Sequence, residues 1–314
     1  MKRYTVHDFR RQFDTDAACL EFLKNARWPK GITCPTEKRV TLHHRLSKRP
    51  AYSCQECGHH VYPLAGTIFH KSPTPLRSWF HAMFLMAQTR CGISGKQLQR
   101  ELGVTYKTAW RMFKQIRILM DEDGSPLSGI VEVDETYVGG RKRGGKVGRA
   151  TQKAVVVGLS QRGGRIIART AKDTKAESLM PTIKQYVMPE STVFTDEWVG
   201  YKYVGNEGYT HRRTHHAAKV YVMGDVHTNT VEGFWSLVKR GIGGVHHVVG
   251  SAYLQSYMNA YSFRWNHRND SQPMFQTLLS RVPAVSSVSW APASGPTFSG
   301  GPQTLPSSAG GQEP

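Results

Sequence analysis

Three acidic side chains lie where their carboxylates could act together on a phosphate. Asp134 follows the alternating apolar residues of a strand pattern, and Asp196 ends a second short apolar stretch. Glu232 falls in the first turn of a later predicted helix, with Lys239 two turns further on the same face. Two-metal phosphoryl transfer needs carboxylate oxygens that hold two Mg²⁺ ions about 3.5 to 4 Å apart. The pattern predicts a site for two Mg²⁺ or Mn²⁺ ions held by Asp134, Asp196 and Glu232, with Lys239 beside the scissile phosphate.

Other acids compete for these roles. Glu132 has the strand parity of Asp134 but lies deeper in the strand, whereas Glu135 and Glu197 are predicted to point to the opposite face. Asp225 lies in a loop before the helix. A simpler interpretation of the Asp134 stretch is an edge strand whose polar face is in water, because carboxylates inside a buried sheet are costly unless paired or bound to a cation.

The elements around these acids predict an α/β fold. Strand patterns at 130–138, 154–160 and 164–170 form a meander, a helix follows at 176–187, and a short strand at 191–198 ends in an acid. The order β-β-β-α-β, with acids at the ends of the first and fourth strands, is the layout of a ribonuclease-H-like core, a mixed sheet flanked by helices. Asn229 or Thr230 is predicted to cap the helix that carries Glu232.

Cysteines near the N-terminus predict a zinc-ribbon-like module. Cys34 and the pair Cys54 and Cys57 are spaced like two metal knuckles, but Glu37 stands where the first knuckle needs its second cysteine. Glu37, His43 or His44 could complete the site. The alternative is a ribbon that has lost its zinc and persists by packing or is partly disordered. A small core for this module is expected from Tyr52, Tyr62 and Phe69.

A helix-turn-helix is predicted downstream of the ribbon. Ser94 caps one helix, Gly103 makes the turn and Thr105 caps a second helix, which shows Lys107 and Arg111 outward. An ordinary helical hairpin is the alternative. The basic balance of the chain favours DNA binding, since 42 Lys+Arg against 23 Asp+Glu give a net charge of +19.

Composition and segment patterns indicate which compartment the protein occupies and which segments contact DNA. No apolar run is long enough to span a membrane, and the N-terminus lacks the apolar run of a signal peptide, so a cytoplasmic protein is expected, on the nucleoid when bound to DNA. The loop 141–149 is predicted to be a flexible arm for the phosphate backbone, or else a solvated hairpin loop. The aromatic and basic stretch 199–228 is predicted to be a DNA-facing surface rather than a second metal site. From 284 to 314 the composition predicts disorder.

The motifs resemble those of the IS1595 (ISXO2-like) insertion-sequence transposases. The matching segments are the strand 133–140, the Asp196 strand and the helix 227–240, and the resemblance runs from about residue 15 to 270. It implies a DDE-type enzyme that binds terminal inverted repeats, cuts double-stranded DNA by hydrolysis and joins 3′-hydroxyl ends to target DNA. It also implies a homo-oligomer on DNA.

The resemblance leaves the third catalytic position open, because the family has Glu in some branches and Asn in others. Here it implies Glu232, with Asn229 as the alternative and Lys239 as the associated lysine. The expected domains are a ribbon module at 1–70, a helical region at 71–122, a catalytic domain at 128–270 and a tail at 284–314. A catalytically silent DNA-binding regulator and a nuclease without strand joining are the alternative functions.

Overall fold

The structure, a computed structural model, describes residues 4–122, 124–139, 153–213 and 228–283. The predicted basic arm at 141–149, the predicted tail at 284–314 and much of the predicted DNA-facing stretch (214–227, including Asp225) lie outside these described residues.

Two short helices and a small sheet form the N-terminal region. Helices α1 (Val6–Gln12) and α2 (Asp16–Arg27) begin with the side-chain caps Thr5 and Thr15. Strands β1 (His43–Arg45), β2 (Tyr52–Cys54) and β3 (His60–Val61) pair antiparallel in the order β1-β2-β3. The separate small core predicted for this ribbon is wrong, because Tyr62 is 42% exposed and both Tyr52 and Phe69 join the main core.

Three helices follow, and the last two have helix-turn-helix form. They are α3 (Leu76–Gln88), α4 (Gly95–Leu102) and α5 (Tyr106–Leu119). Ser94 and Thr105 cap α4 and α5 through their hydroxyls, and Gly103 ends α4 at φ +64°, the left-handed conformation that glycine adopts without strain. Lys107 and Arg111 are exposed on α5, as predicted, and Ala109 and Phe113 are buried.

A five-stranded mixed sheet is the centre of the molecule. Its strands are β4 (Ile130–Val138), β5 (Ala154–Gln161), β6 (Ile166–Ala171), β7 (Thr192–Thr195) and β8 (Thr210–Arg213), in the order β6-β5-β4-β7-β8. The first three are antiparallel neighbours, whereas β4–β7 and β7–β8 pair parallel. This is the ribonuclease-H-like order. Since β4 has a neighbour on both sides, the edge-strand interpretation of the Asp134 stretch is wrong.

Helices cover both faces of the sheet. Helix α6 (Ala176–Tyr186), which contains Pro181, packs Leu179 and Ile183 against the face that carries Val131 and Val133. The other face is covered by α7 (Asn229–Gly241) and α8 (Ser251–Asn266). A short α9 (Met274–Ser280), which the sequence did not predict, packs on α3. Among the described residues, no helix is long and apolar enough to cross a membrane.

Candidate active site

Asp134 and Asp196 occupy the same level on two neighbouring parallel strands. The register of β4 and β7 pairs Val131 with Val193 and Glu132 with Phe194. Carried two residues further, it sets Asp134 in β4 beside Asp196, the first residue after β7. The Asp196 carboxylate accepts the Trp198 N–H at 3.0 Å, which holds it at the strand end. The two predicted aspartates therefore lie next to each other at one edge of the sheet.

Glu232 lies in the first turn of α7, which packs on the same sheet face as the Asp134 side chain. It is exposed, and the Thr228 hydroxyl donates to its carboxylate at 2.9 Å. Asn229, the alternative third position, is also exposed. Lys239 is exposed two turns further along α7, consistent with the predicted shared face.

Asp134 has an electrostatic environment that suits a bound cation. Burial, followed by the negative charges of Glu135, Asp196 and Glu232, raises the pKa of Asp134 from 3.8 to about 7. A cation bound beside Asp134 would relieve the repulsion between its carboxylate and those of Asp196 and Glu232. The donor set is all oxygen and fits Mg²⁺ or Mn²⁺.

Glu135 belongs to the opposite face, as its parity predicts. Its carboxylate accepts the hydroxyl of Tyr201 at 2.7 Å. Tyr201 is fully buried, and burial, followed by the Glu135 charge, raises its pKa well above the usual range. The prediction that Tyr201 and Tyr209 face DNA is wrong, since both belong to the core on the α6 side of the sheet.

Residues Thr210–Arg213 of the predicted DNA-facing stretch form the edge strand β8 of the sheet. Strand β8 was not predicted, because His211 to Arg213 are polar and lack an apolar alternation. Burial lowers the pKa of His211 to about 4, and its ring lies 2.9 Å from the Thr195 hydroxyl, so it is a neutral structural histidine. Arg212 and Arg213 remain exposed.

The residues that hold α7 on the sheet were not foreseen. The predicted caps Asn229 and Thr230 are wrong: Thr228 precedes the helix and makes no side-chain cap bond. Glu132 of β4 supplies the missing acceptor, as its carboxylate receives the N–H groups of Thr230 and Val231. An acceptor from a strand almost a hundred residues earlier leaves no local sequence signal.

The three cysteines of the ribbon come together. The Sγ atoms of Cys34, Cys54 and Cys57 lie within 4.8 Å of one another, and those of Cys34 and Cys57 are 3.4 Å apart. Thiolates on a tetrahedral Zn²⁺ would be about 3.8 Å apart, so the three fit three corners of such a site. A hydrogen bond with the Thr41 hydroxyl lowers the pKa of Cys54 to about 7, which favours the metal-binding thiolate.

The two turns that carry these cysteines have the same hydrogen bonds. In each, the first cysteine N–H donates to a carbonyl five residues on, and its carbonyl accepts the N–H four residues on. The four bonds are Cys34 to Arg39 at 2.9 Å, Lys38 to Cys34 at 2.9 Å, Cys54 to His59 at 2.8 Å and Gly58 to Cys54 at 3.1 Å. Glu37 therefore takes in the first turn the position that Cys57 takes in the second.

Strand order, register and the cysteine cluster define a protein with a ribonuclease-H-like core preceded by a zinc-ribbon module. Residues 126–266 match the ISXO2-like transposase domain, and residues 14–60 match the transposase zinc-ribbon domain. Both matches are to IS1595 domains, so the chain is similar to this family of insertion-sequence transposases over both regions.

A relative and a solved structure accompany these matches. The chain is 29% identical to an uncharacterized protein in transposable element ISH50 of Halobacterium salinarum, across 81% of this chain and 92% of that protein. The catalytic core domain of BIV integrase aligns with a TM-score of 0.31 and 11% identity, covering 48% of this chain and 94% of that one. A likeness of that size adds nothing to the fold that the strand order defines.

Proposed function

We propose that this protein is a DDE-type DNA transposase that binds the terminal inverted repeats of its element, cleaves there and joins the 3′-hydroxyl ends to target DNA. The observation that carries this proposal is the shared level of Asp134 and Asp196 on adjacent parallel strands, with the charge of Glu232 acting on Asp134. The match of residues 126–266 to the ISXO2-like transposase domain supports it.

Each proposed catalytic residue has one task. Asp134, Asp196 and Glu232 would hold two Mg²⁺ ions, which would supply activation of the attacking oxygen and stabilisation of the leaving oxygen. Asp134 would be the central ligand, because Asp196 on the neighbouring strand and Glu232 on α7 both raise its pKa. Lys239 contacts a phosphate near the cleavage point as a point charge.

DNA binding is assigned to the N-terminal half of the chain. We assign the ribbon module to 1–70, the helix-turn-helix region to 71–122 and the catalytic domain to 128–270. Lys107 on the exposed side of α5 faces the major groove, and the excess of basic residues supplies the phosphate contacts. The proposed substrate is chromosomal DNA. Two or more copies of the chain would bring the two element ends together.

The test is an assay on DNA that carries the inverted repeats flanking this gene. Purified protein with Mg²⁺ or Mn²⁺ is expected to nick at the element ends and to join the resulting 3′-hydroxyl to a second duplex. Nicking without joined product would indicate a nuclease. Specific binding without nicking in either metal would indicate a silent regulator, and both results would contradict the proposal.

We propose further that the ribbon binds one Zn²⁺ through Cys34, Cys54, Cys57 and Glu37. The matching turns support Glu37 over the histidines, because they give it the place of a ligand. The amount of bound zinc and its loss to a competing chelator measure whether zinc binds and how tightly it is held. Glu37→Ala is expected to weaken zinc retention by about 10-fold or more and Glu37→Cys to strengthen it. Weakening by His43→Ala or His44→Ala, with Glu37→Ala unchanged, would contradict the ligand assignment.

A further inference from the structure

Glu132 is fully buried in β4 and holds the first turn of α7. Its side chain is 0% exposed, and its carboxylate accepts the Thr230 N–H at 2.9 Å, the Thr230 hydroxyl at 3.0 Å and the Val231 N–H at 3.2 Å. Arg162 lies 3.5 Å away as a counter-charge. A helix N-terminus favours an anion, and a buried carboxylate needs such partners, so the strand and the helix satisfy each other here.

Trp235 makes a second attachment, one turn further along α7. Its indole N–H donates to the Asp134 carboxylate at 3.0 Å. Gly158 pairs with Asp134 across β4 and β5, and a Cβ there would come within 2.5 Å of the Trp235 ring. The missing side chain at Gly158 thus leaves the space in which Trp235 reaches Asp134.

The distance between the two contacts is about the same along β4 as along α7. Glu132 and Asp134 are two residues apart on a strand, which is about 6.6 Å. Val231 and Trp235 are four residues apart on a helix, which is about 6 Å. Helix α7 therefore runs beside β4 with both contacts made at once, and it cannot slide along the strand without breaking both. Glu232 lies between the two attachment points.

We propose that Glu132 and Trp235 are positioning residues that set the register of α7 on β4, and thereby the distance between Glu232 and Asp134 in the metal site. This inference rests on the proposed function, because the distance matters only if these acids hold metal ions together. Neither residue is assigned contact with DNA or metal.

The first test is Trp235→Phe, which keeps an aromatic ring at this position and removes the indole donor to Asp134. Mn²⁺ binding to the full chain without DNA, measured by electron paramagnetic resonance, is expected to weaken by about 10-fold. The melting temperature should fall, because the smaller ring leaves part of the space beside Gly158 empty. The matched control is Trp265→Phe, which alters an indole that packs on Phe234 of α7, and it should leave Mn²⁺ affinity unchanged.

The second test compares two buried acids. Glu132→Gln keeps the side-chain size but turns an amide toward the N-terminus of α7. Glu122→Gln removes a buried carboxylate that pairs with His267 and Arg281. Both variants are expected to lower the melting temperature, but only Glu132→Gln should weaken Mn²⁺ binding and shift the Mg²⁺ midpoint for nicking upward.

The outcomes separate this inference from the proposed function. Wild-type Mn²⁺ affinity in both Trp235→Phe and Glu132→Gln overturns the positioning role, even if the wild-type protein cleaves and joins DNA. Equal weakening by Glu122→Gln also overturns it, because the effect would then be one of general stability. Absence of Mn²⁺ binding by the wild-type protein overturns the proposed function and this inference with it.

Discussion

The negative charge of the Asp134 carboxylate is disfavoured by its surroundings. It lies partly buried beside three other acids, and its pKa in the metal-free protein is raised to about 7, chiefly by burial. A carboxyl with a raised folded-state pKa binds its proton more tightly in the folded protein than in the unfolded chain. The metal-free protein therefore loses stability as the pH rises from about 4 to about 7, and the loss is complete above that range.

Asp134→Asn removes this loss while keeping an oxygen for the Trp235 N–H. Because solvent screens part of the charge, we expect the variant to be more stable than the wild type by about 1 to 2 kcal/mol at pH 8 and equal to it near pH 4. Thermal unfolding at the two pH values, without metal, measures this. Mg²⁺ should raise the melting temperature of the wild type at pH 8 but not that of the variant. Parallel pH profiles for the two proteins would contradict the role given to this charge.

At the residue scale, the sequence predicted where the acids lie in the fold, but it did not predict which residues contact them. The alternation around Asp134 and the short apolar stretch before Asp196 predicted strand positions, and the structure places both side by side. The contact between Trp235 and Asp134 joins residues far apart in the chain, so no local pattern could predict it. Glu132 was set aside as too deep for catalysis, and its depth is what allows it to hold α7.

At the element scale, the contact between the sheet and α7 depends on a glycine. Gly158 in β5 leaves room for Trp235 and Val231, and a Cβ would lie 2.9 Å from the Val231 side chain. Gly158→Ala is expected to lower the free energy of unfolding by about 1 to 3 kcal/mol because the site would be overpacked. It should also weaken Mn²⁺ binding, since α7 must move away from β4.

Urea unfolding and Mn²⁺ titration of the same preparation measure both effects. Gly243→Ala is the control, because nothing lies within 4 Å of a Cβ at that position. A Gly158→Ala protein with wild-type stability and wild-type Mn²⁺ affinity would mean that α7 is not fitted to the sheet in this way.

The sequence predicted the element boundaries that are set by neighbouring residues. It did not predict the boundaries that are set by contacts with distant residues. Ser94 and Thr105 cap their helices as predicted, because each cap is recognised from the residues next to it. The N-terminus of α7 takes its acceptor from β4, so Asn229 and Thr230 were wrong as caps. Strand β8 was missed because it is a polar edge strand that is fixed by its pairing with β7.

At the scale of the whole molecule, the predicted N-terminal, helical and catalytic regions share one apolar core. Phe9 and Phe13 of the N-terminal region contact Phe275 of α9, with ring centroids 5.8 and 5.9 Å apart. Phe84 of α3 packs on the same ring at 5.7 Å. Composition and motifs suggested separate modules, and they carried no sign of this packing because the contacts join opposite ends of the described chain.

Phe275→Ala tests whether these regions unfold together. Removing a fully buried ring is expected to cost about 3 to 5 kcal/mol, and the shared core predicts one cooperative transition that moves to lower temperature as a whole. Calorimetry of the full chain measures this, with the exposed Tyr62→Ala as control. Two transitions, of which only one shifts, would show that the regions unfold independently.

The most direct test of the account as a whole is metal-dependent nicking of inverted-repeat DNA by Asp134→Ala and Asp196→Ala, with binding measured on the same DNA. Both variants are expected to bind the element ends like the wild type and to lose nicking in Mg²⁺ and in Mn²⁺. Glu232→Gln should lose nicking while Asn229→Ala keeps it. Nicking at the wild-type rate by either aspartate variant would contradict the claim that these acids form the active site.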